Sequence, residues 1–83
     1  MDFEWDPLKD GTNEDKHGIS FDDAKAVFLD AQHLIEDATR PEHGERRSKA
    51  IGRIGSAIVA VIFTDRGDYR RLISARRAKR DER

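Results

Sequence analysis

The run Ala57-Ile58-Val59-Ala60-Val61-Ile62-Phe63 lies between two turn signals, Gly55-Ser56 before it and Arg66-Gly67-Asp68 after it. An unbroken stretch of this kind is apolar on both faces and therefore predicts a central strand, covered by helices on one side. The glycine-bearing signals predict hairpins with a two-residue connection at 55–56 and a three-residue connection at 66–68. The flanking strands then fall at about 46–54 and 69–75, where apolar and charged residues alternate. The apolar run is well under half the roughly 20 residues of a membrane-spanning helix. The acidic N-terminus carries no signal-peptide core, so a cytoplasmic protein is expected.

Upstream, Phe3 and Trp5 alternate with Asp2 and Glu4, which suits a short strand. Asp6-Pro7 reads as a helix start, a capping carboxylate followed by a proline that has no N–H to lose. That helix should run to about His17 and stop at Gly18, with a thin apolar face of Leu8, Gly11 and Thr12. Ser20 caps a second helix, with Asp23 placed to return the bond. Phe21, Ala24, Val27, Phe28 and Ala31 form its apolar stripe. Residues 33–37 predict a short strand around Leu34-Ile35, and 39–44 a polar loop with Pro41 and Gly44. Residues 75–83 read as a short, basic C-terminal helix or tail. Helices gather early and strands late. The expected fold class is α+β: two N-terminal helices on one face of an antiparallel sheet, in one domain spanning 1–83. A chain of 83 residues buries only a modest core. With no cysteine, it has no disulfide and no thiolate metal site.

Charge is sorted along the chain. Residues 1–45 hold thirteen Asp/Glu and four Lys/Arg, a net of −9; residues 46–83 hold four and twelve, a net of +8. Ten of the twelve late cations are arginine, which forks onto phosphate where lysine offers a point charge. This asymmetry points to a polyanion, and to nucleic acid before membrane. If 46–54 and 69–75 both flank 57–65, their cations share a sheet face, with Arg47, Lys49 and Arg53 in line and Arg70 and Arg71 on opposite faces. Exposed strands also carry charge merely for solubility and edge protection, but that does not require one-sign clustering.

Proton transfer has three histidine candidates. His17, at a helix end, is favoured as a cation there, equally as a plain capping charge. His33 and His43 fall in or beside loops and read as solvated. No zinc spacing links them. Asp22/Asp23 and Glu36/Asp37 invite a metal-site reading, but neighbouring carboxylates diverge on a helix or strand, so no metal and no cofactor is expected. Glu45 stands beside Arg46-Arg47, where a carboxylate orients an arginine or accepts a proton; otherwise it makes an ordinary surface ion pair.

Several segments carry a resemblance: Phe3-Glu4-Trp5-Asp6-Pro7 with Lys9; Asn13 followed by Lys16-His17-Gly18-Ile19-Ser20-Phe21; Ala50-Ile51-Gly52-Arg53; Phe63-Thr64-Asp65-Arg66-Gly67; and Arg71-Leu72-Ile73-Ser74-Ala75-Arg76-Arg77-Ala78. In this order they resemble the BrnT family of bacterial toxins. The resemblance implies a RelE-like fold and a type II toxin that cleaves RNA and halts translation. It also implies a BrnA-like antitoxin that forms a hetero-oligomer with the toxin and binds operator DNA through its own DNA-binding part. On the family pattern, His17, Glu45, Arg47, Arg71 and Arg76 are the catalytic candidates. Ser48-Lys49 after Arg47, and Gly11-Thr12, depart from the family and predict a weaker strand 46–54 and a weaker first helix.

RNA can be cut without a metal when its 2′-hydroxyl attacks the adjacent phosphorus and leaves a 2′,3′-cyclic phosphate. Arg47, Arg71 and Arg76 then hold phosphate charge, and Glu45 or His17 moves the proton. Lys16, Arg53, Arg77, Lys79 and Arg80 track the RNA backbone. The alternative is a non-catalytic nucleic-acid-binding or co-repressor module of a toxin–antitoxin complex, which needs the same cations but neither Glu45 nor His17.

Overall fold

The apolar run becomes the middle of a strand, β4 (Ala57–Arg66), in a computed structural model that describes residues 1–83. β3 (Ser48–Ile54) and β5 (Tyr69–Arg77) pair antiparallel with it on its two sides. β2 (Leu34–Asp37) continues the sheet antiparallel to β3, and β1 (Asp2–Glu4) lies beside β5. The order of the five strands is β1-β5-β4-β3-β2. β1 runs parallel to β5, so the sheet is mixed and not wholly antiparallel as expected. A parallel pair needs a long connection, and nearly the whole chain separates these two strands.

Two further boundaries differ from expectation. Arg66 pairs with Tyr69, so the second hairpin turns on two residues, Gly67-Asp68, and not three. Gly67 supplies the positive φ, 58°, that so tight a hairpin requires. The basic C-terminal helix is absent. Ala75, Arg76 and Arg77 stay in the sheet opposite Val61, Ala60 and Val59, and only a single 3₁₀ turn, Arg80–Glu82, follows.

Helix α1 (Pro7–His17) forms despite Gly11: the Asp6 carboxylate accepts the Leu8 N–H, and Gly18 ends it at φ 72°. The second helix is shorter than its apolar stripe suggested. α2 (Phe21–Ala24), capped by Ser20, tightens into a 3₁₀ segment over Lys25–Leu29. Asp30 ends it by turning the chain, its carboxylate accepting the Gln32 and Arg53 N–H groups. Beneath this segment lies Gly52 of β3. A Cβ there would meet Val27 Cγ1 at 2.9 Å, the Val27 carbonyl at 3.0 Å and His33 Cβ at 3.1 Å. Gly52→Val should therefore cost about 1–3 kcal/mol in urea unfolding through overpacking; an unchanged midpoint would contradict this contact.

Both helices cover one face of the sheet. Phe21, Val27, Val59, Val61, Phe63 and Leu72 form the buried centre, with Phe3, Trp5 and Phe28 packed against it. Phe28 meets Phe63 edge-on at 5.3 Å, and the Arg70 guanidinium stacks over both rings at 4.8 and 4.4 Å while Asp65 holds it by two hydrogen bonds. Arg70 is thus committed to the core.

The inner face of α1 is polar. Leu8, expected to face inward, is 81% exposed. Asp10 instead accepts the Phe21 N–H at 2.8 Å. The buried Asn13 amide donates to the Ile19 and Ala75 carbonyls at 3.0 and 2.8 Å and accepts the Ala75 N–H at 3.0 Å. α1 docks through hydrogen bonds to backbone rather than through an apolar stripe.

Candidate RNA-binding basin

The sheet face away from the helices gathers the cations. Cross-strand register places Lys49, Ile62 and Ser74 in one row of this open face and Ile51, Ala60 and Arg76 in the next, with Arg53 beside Ile58 beyond them. A register shift in β5 opposite Ile62/Phe63 then brings Arg71 onto the same face, level with Thr64.

A depression of about 400 Å³ opens at one end of this face, lined by Arg40, His43, Arg47, Lys49, Ile62 and Arg76 among others. Backbone bonds fix its wall. The Arg47 N–H donates to Thr39 Oγ1 at 2.9 Å and the Ala38 N–H to the Arg47 carbonyl at 2.8 Å. Asp37 is the carboxylate in the lining. The Thr39 hydroxyl and N–H, donating to it, hold its pKa below the ordinary value. His43 belongs to a 3₁₀ turn, Pro41–His43, and its Nδ1 accepts the Arg40 N–H at 3.3 Å. That bond assigns the neutral ring's proton to Nε2.

The structure brings Arg47 and Arg76 together in this basin and distributes the other candidates elsewhere. Arg71 bonds Glu4 at 3.1 Å and does not line it. Glu45 sits beside it, bonded to Arg66 at 3.2 Å and Arg47 at 3.4 Å. The Arg66 contact first, and Arg47 after it, keep the Glu45 carboxyl below its ordinary range. His17 lines two depressions against α1, one shared with Lys16 and the other with Arg77. Arg53 borders a separate groove on the open face. Lys79 and Arg80 belong to the segment after β5. Tyr69, half-exposed at the second hairpin, lies outside the basin. Nowhere do three or more His, Asp or Glu side chains converge as a metal site.

Two residues of this region carried no sequence signal of their own. His43 looked like an ordinary loop residue, and only the folding of 37–47 over the open face brings it to Arg76. Glu82 lay in what read as a basic tail. Its carboxylate bonds Arg76 at 2.6 and 3.0 Å and Lys49 at 2.7 Å, and also accepts the Lys79 N–H at 2.7 Å. The Arg76 contact foremost drives its pKa far below the ordinary range, and the same contact raises that of Arg76.

The sign of these shifts sets an acid limit. Asp30, Asp37, Glu45 and Glu82 are all depressed in the folded chain. Their stabilisation is complete above the unfolded carboxylate pKa of about 4 and is lost as pH falls through the depressed values. The melting temperature should fall steadily as the buffer is taken from pH 5 to pH 2. A melting temperature that rises on acidification would contradict the assignment.

A family model described as the ribonuclease toxin BrnT of type II toxin–antitoxin systems matches residues 5–82. Comparison with curated proteins gives no match. The matched span takes in every strand from β2 to β5, both helices, the basin and the Arg80–Glu82 turn. This chain belongs to the BrnT family of ribonuclease toxins.

Proposed function

We propose that the chain is a metal-independent endoribonuclease whose scissile phosphate sits in the open-face basin between Arg47 and Arg76. The observation that carries this reading is that two arginines far apart in sequence line one depression with Lys49 and His43, on the sheet face opposite α1 and α2. Guanidinium groups aimed at a developing phosphorane supply the charge stabilisation that is usually the largest catalytic contribution. The 2′-oxygen attacks phosphorus, the bond to the 5′-oxygen breaks, and a 2′,3′-cyclic phosphate remains. His43 Nε2–H hydrogen-bonds the departing 5′-oxygen, which takes its proton from water, and the 2′-hydroxyl proton leaves to water. Glu45 orients Arg47 through its 3.4 Å contact. Arg71, further along the same face, and Arg53 contact flanking phosphates. Lys16 and His17 line a neighbouring depression that shares Ile73 and Ser74 with the basin, and Arg77 lines another; on this reading the three take no part in the chemistry.

A toxin of this family works against an antitoxin, and on this reading the partner is BrnA-like. It forms a hetero-oligomer with the chain and carries the operator DNA contact. The reading further includes a RelE-like arrangement of the α+β fold, a single functional domain over 1–83, inhibition of translation and action in the cytoplasm. Incubating RNA with the protein in EDTA tests the enzyme. New fragments ending in 2′,3′-cyclic phosphate are expected; a gel shift without fragments would leave the binding-module alternative.

A further inference from the structure

The strongest ion-pair cluster in the molecule occupies the very cations that the proposed reaction needs. Glu82 presents one oxygen to each arm of the Arg76 guanidinium, at 2.6 and 3.0 Å, and the second of these oxygens also takes Lys49 Nζ at 2.7 Å. The Glu82 side chain is only 6% exposed, whereas those of Arg76 and Lys49 remain 26% and 22% exposed. Two parallel N–H···O bonds from one guanidinium are the geometry arginine gives to phosphate and carboxylate alike. The carboxylate therefore stands where two phosphate oxygens would.

The segment that delivers Glu82 is held by charge. Ala78 donates its N–H to the Ile58 carbonyl at 2.8 Å, the last backbone bond to the sheet. Beyond it come Lys79, Arg80, Asp81, Glu82 and Arg83, with no apolar side chain to bury. The turn's own backbone contributes Glu82 N–H to the Lys79 carbonyl at 2.9 Å and Arg83 N–H to the Arg80 carbonyl at 3.4 Å. Neither bond anchors it to the sheet. A segment fixed by one carboxylate on two cations is one that a polyanion can displace. Once displaced, it leaves Arg76 and Lys49 open between the basin and the groove bordered by Arg53.

We infer that the Arg80–Glu82 turn is an internal plug, with the Glu82 carboxylate occupying the subsite that an RNA phosphate takes on Arg76 and Lys49. This rests on the proposed placement of substrate in the basin. The turn carries Lys79, Arg80 and Arg83 around its one buried carboxylate, so a displaced turn remains attractive to the RNA that moved it. RNA binding and the Glu82 contact are mutually exclusive.

The test is binding of a short RNA made uncleavable by 2′-deoxy substitution, followed by fluorescence anisotropy at fixed salt. Four proteins are compared: the unaltered chain, Glu82→Gln, Arg76→Ala and the double variant. Removing the competing charge should tighten binding on the order of tenfold in Glu82→Gln, and the gain should vanish when Arg76 is also alanine. Binding by Glu82→Gln no tighter than that of the unaltered chain overturns the plug. If Arg76→Ala still weakens binding in that case, the phosphate site itself survives. Equal binding by Arg76→Ala and the unaltered chain removes the phosphate site and the plug together. The unaltered protein gives a second readout that does not depend on the variants folding. Glu82 followed by carboxyl NMR should titrate far below the ordinary carboxylate range when free and return to that range when RNA is bound. A titration that stays depressed in the complex overturns the inference.

Discussion

Arg76→Ala should lower the single-turnover rate of RNA cleavage by a factor on the order of 10² or more and leave the fold in place. Arg76 lines the basin, and its guanidinium fork, occupied by Glu82 in the free chain, is the one that the proposed substrate phosphate takes over. Its loss removes charge stabilisation that a lysine elsewhere cannot restore, because Lys49 supplies a single donor point. The fold should survive because Glu82 keeps Lys49 and the Lys79 N–H, so no carboxylate is stranded. With the Glu82 side chain only 6% exposed, the loss exceeds that of a surface pair, but the two remaining donors keep the carboxylate from becoming a stranded buried charge. Cleavage rate and circular dichroism on the same sample check both halves. Undiminished cleavage by a pure, folded Arg76→Ala protein would take this residue out of the reaction.

The largest stability effect should come from the other side of the sheet. Asn13→Leu keeps roughly the volume of the side chain and removes three hydrogen bonds. It leaves the Ala75 N–H and carbonyl without side-chain partners at a residue that is fully buried. Each stranded buried group costs about 1–3 kcal/mol, so a loss of about 2–5 kcal/mol is expected, a large share of the 5–15 kcal/mol typical of a domain. Asn13→Asp should be at least as damaging, since a carboxylate cannot donate to the Ile19 and Ala75 carbonyls. Urea unfolding measures both variants. A change below about 0.5 kcal/mol, the range of an ordinary surface substitution, would mean that α1 is not held by this amide.

The contrast between these two residues shows what could be read from the chain. The β3-β4-β5 meander was legible because an apolar run between glycine turns has few alternatives, and once β4 is central its neighbours' cations share a face. The docking of α1 was hidden because apolar periodicity cannot register a helix whose inward positions are Asp10 and Asn13. The same rule picked Leu8, which is exposed. Arg71 and Arg76 are five residues apart and would face opposite sides of a regular strand. They share the open face only because the register slips by one residue opposite Ile62/Phe63, and strand alternation alone gives no warning of such a bulge. His43 and Glu82 reach the basin through 3₁₀ turns whose placement depends on tertiary contacts, which a local pattern does not encode. The departures at Gly11-Thr12 and Ser48-Lys49 suggested weak elements, yet α1 and β3 both form. Capping at Asp6 and the Asn13 bonds support the first, and Lys49 finds Glu82 and Glu36 beside the second.

The charge asymmetry was plain in the sequence, but its use was not. Arg47, Lys49, Arg66, Arg70, Arg71 and Arg76 each hold a carboxylate, so much of the positive half is already neutralised within the fold. What distinguishes Arg47 and Arg76 is the depression they line together.

A crystal structure of the protein with an RNA blocked by 2′-deoxy substitution at its cut site tests the placement of substrate most directly. A phosphate within hydrogen-bond reach of both Arg47 and Arg76, with Glu82 moved off, is the predicted result. RNA laid across α1 at Lys16, His17 and Arg77, with the open-face basin empty, would contradict it.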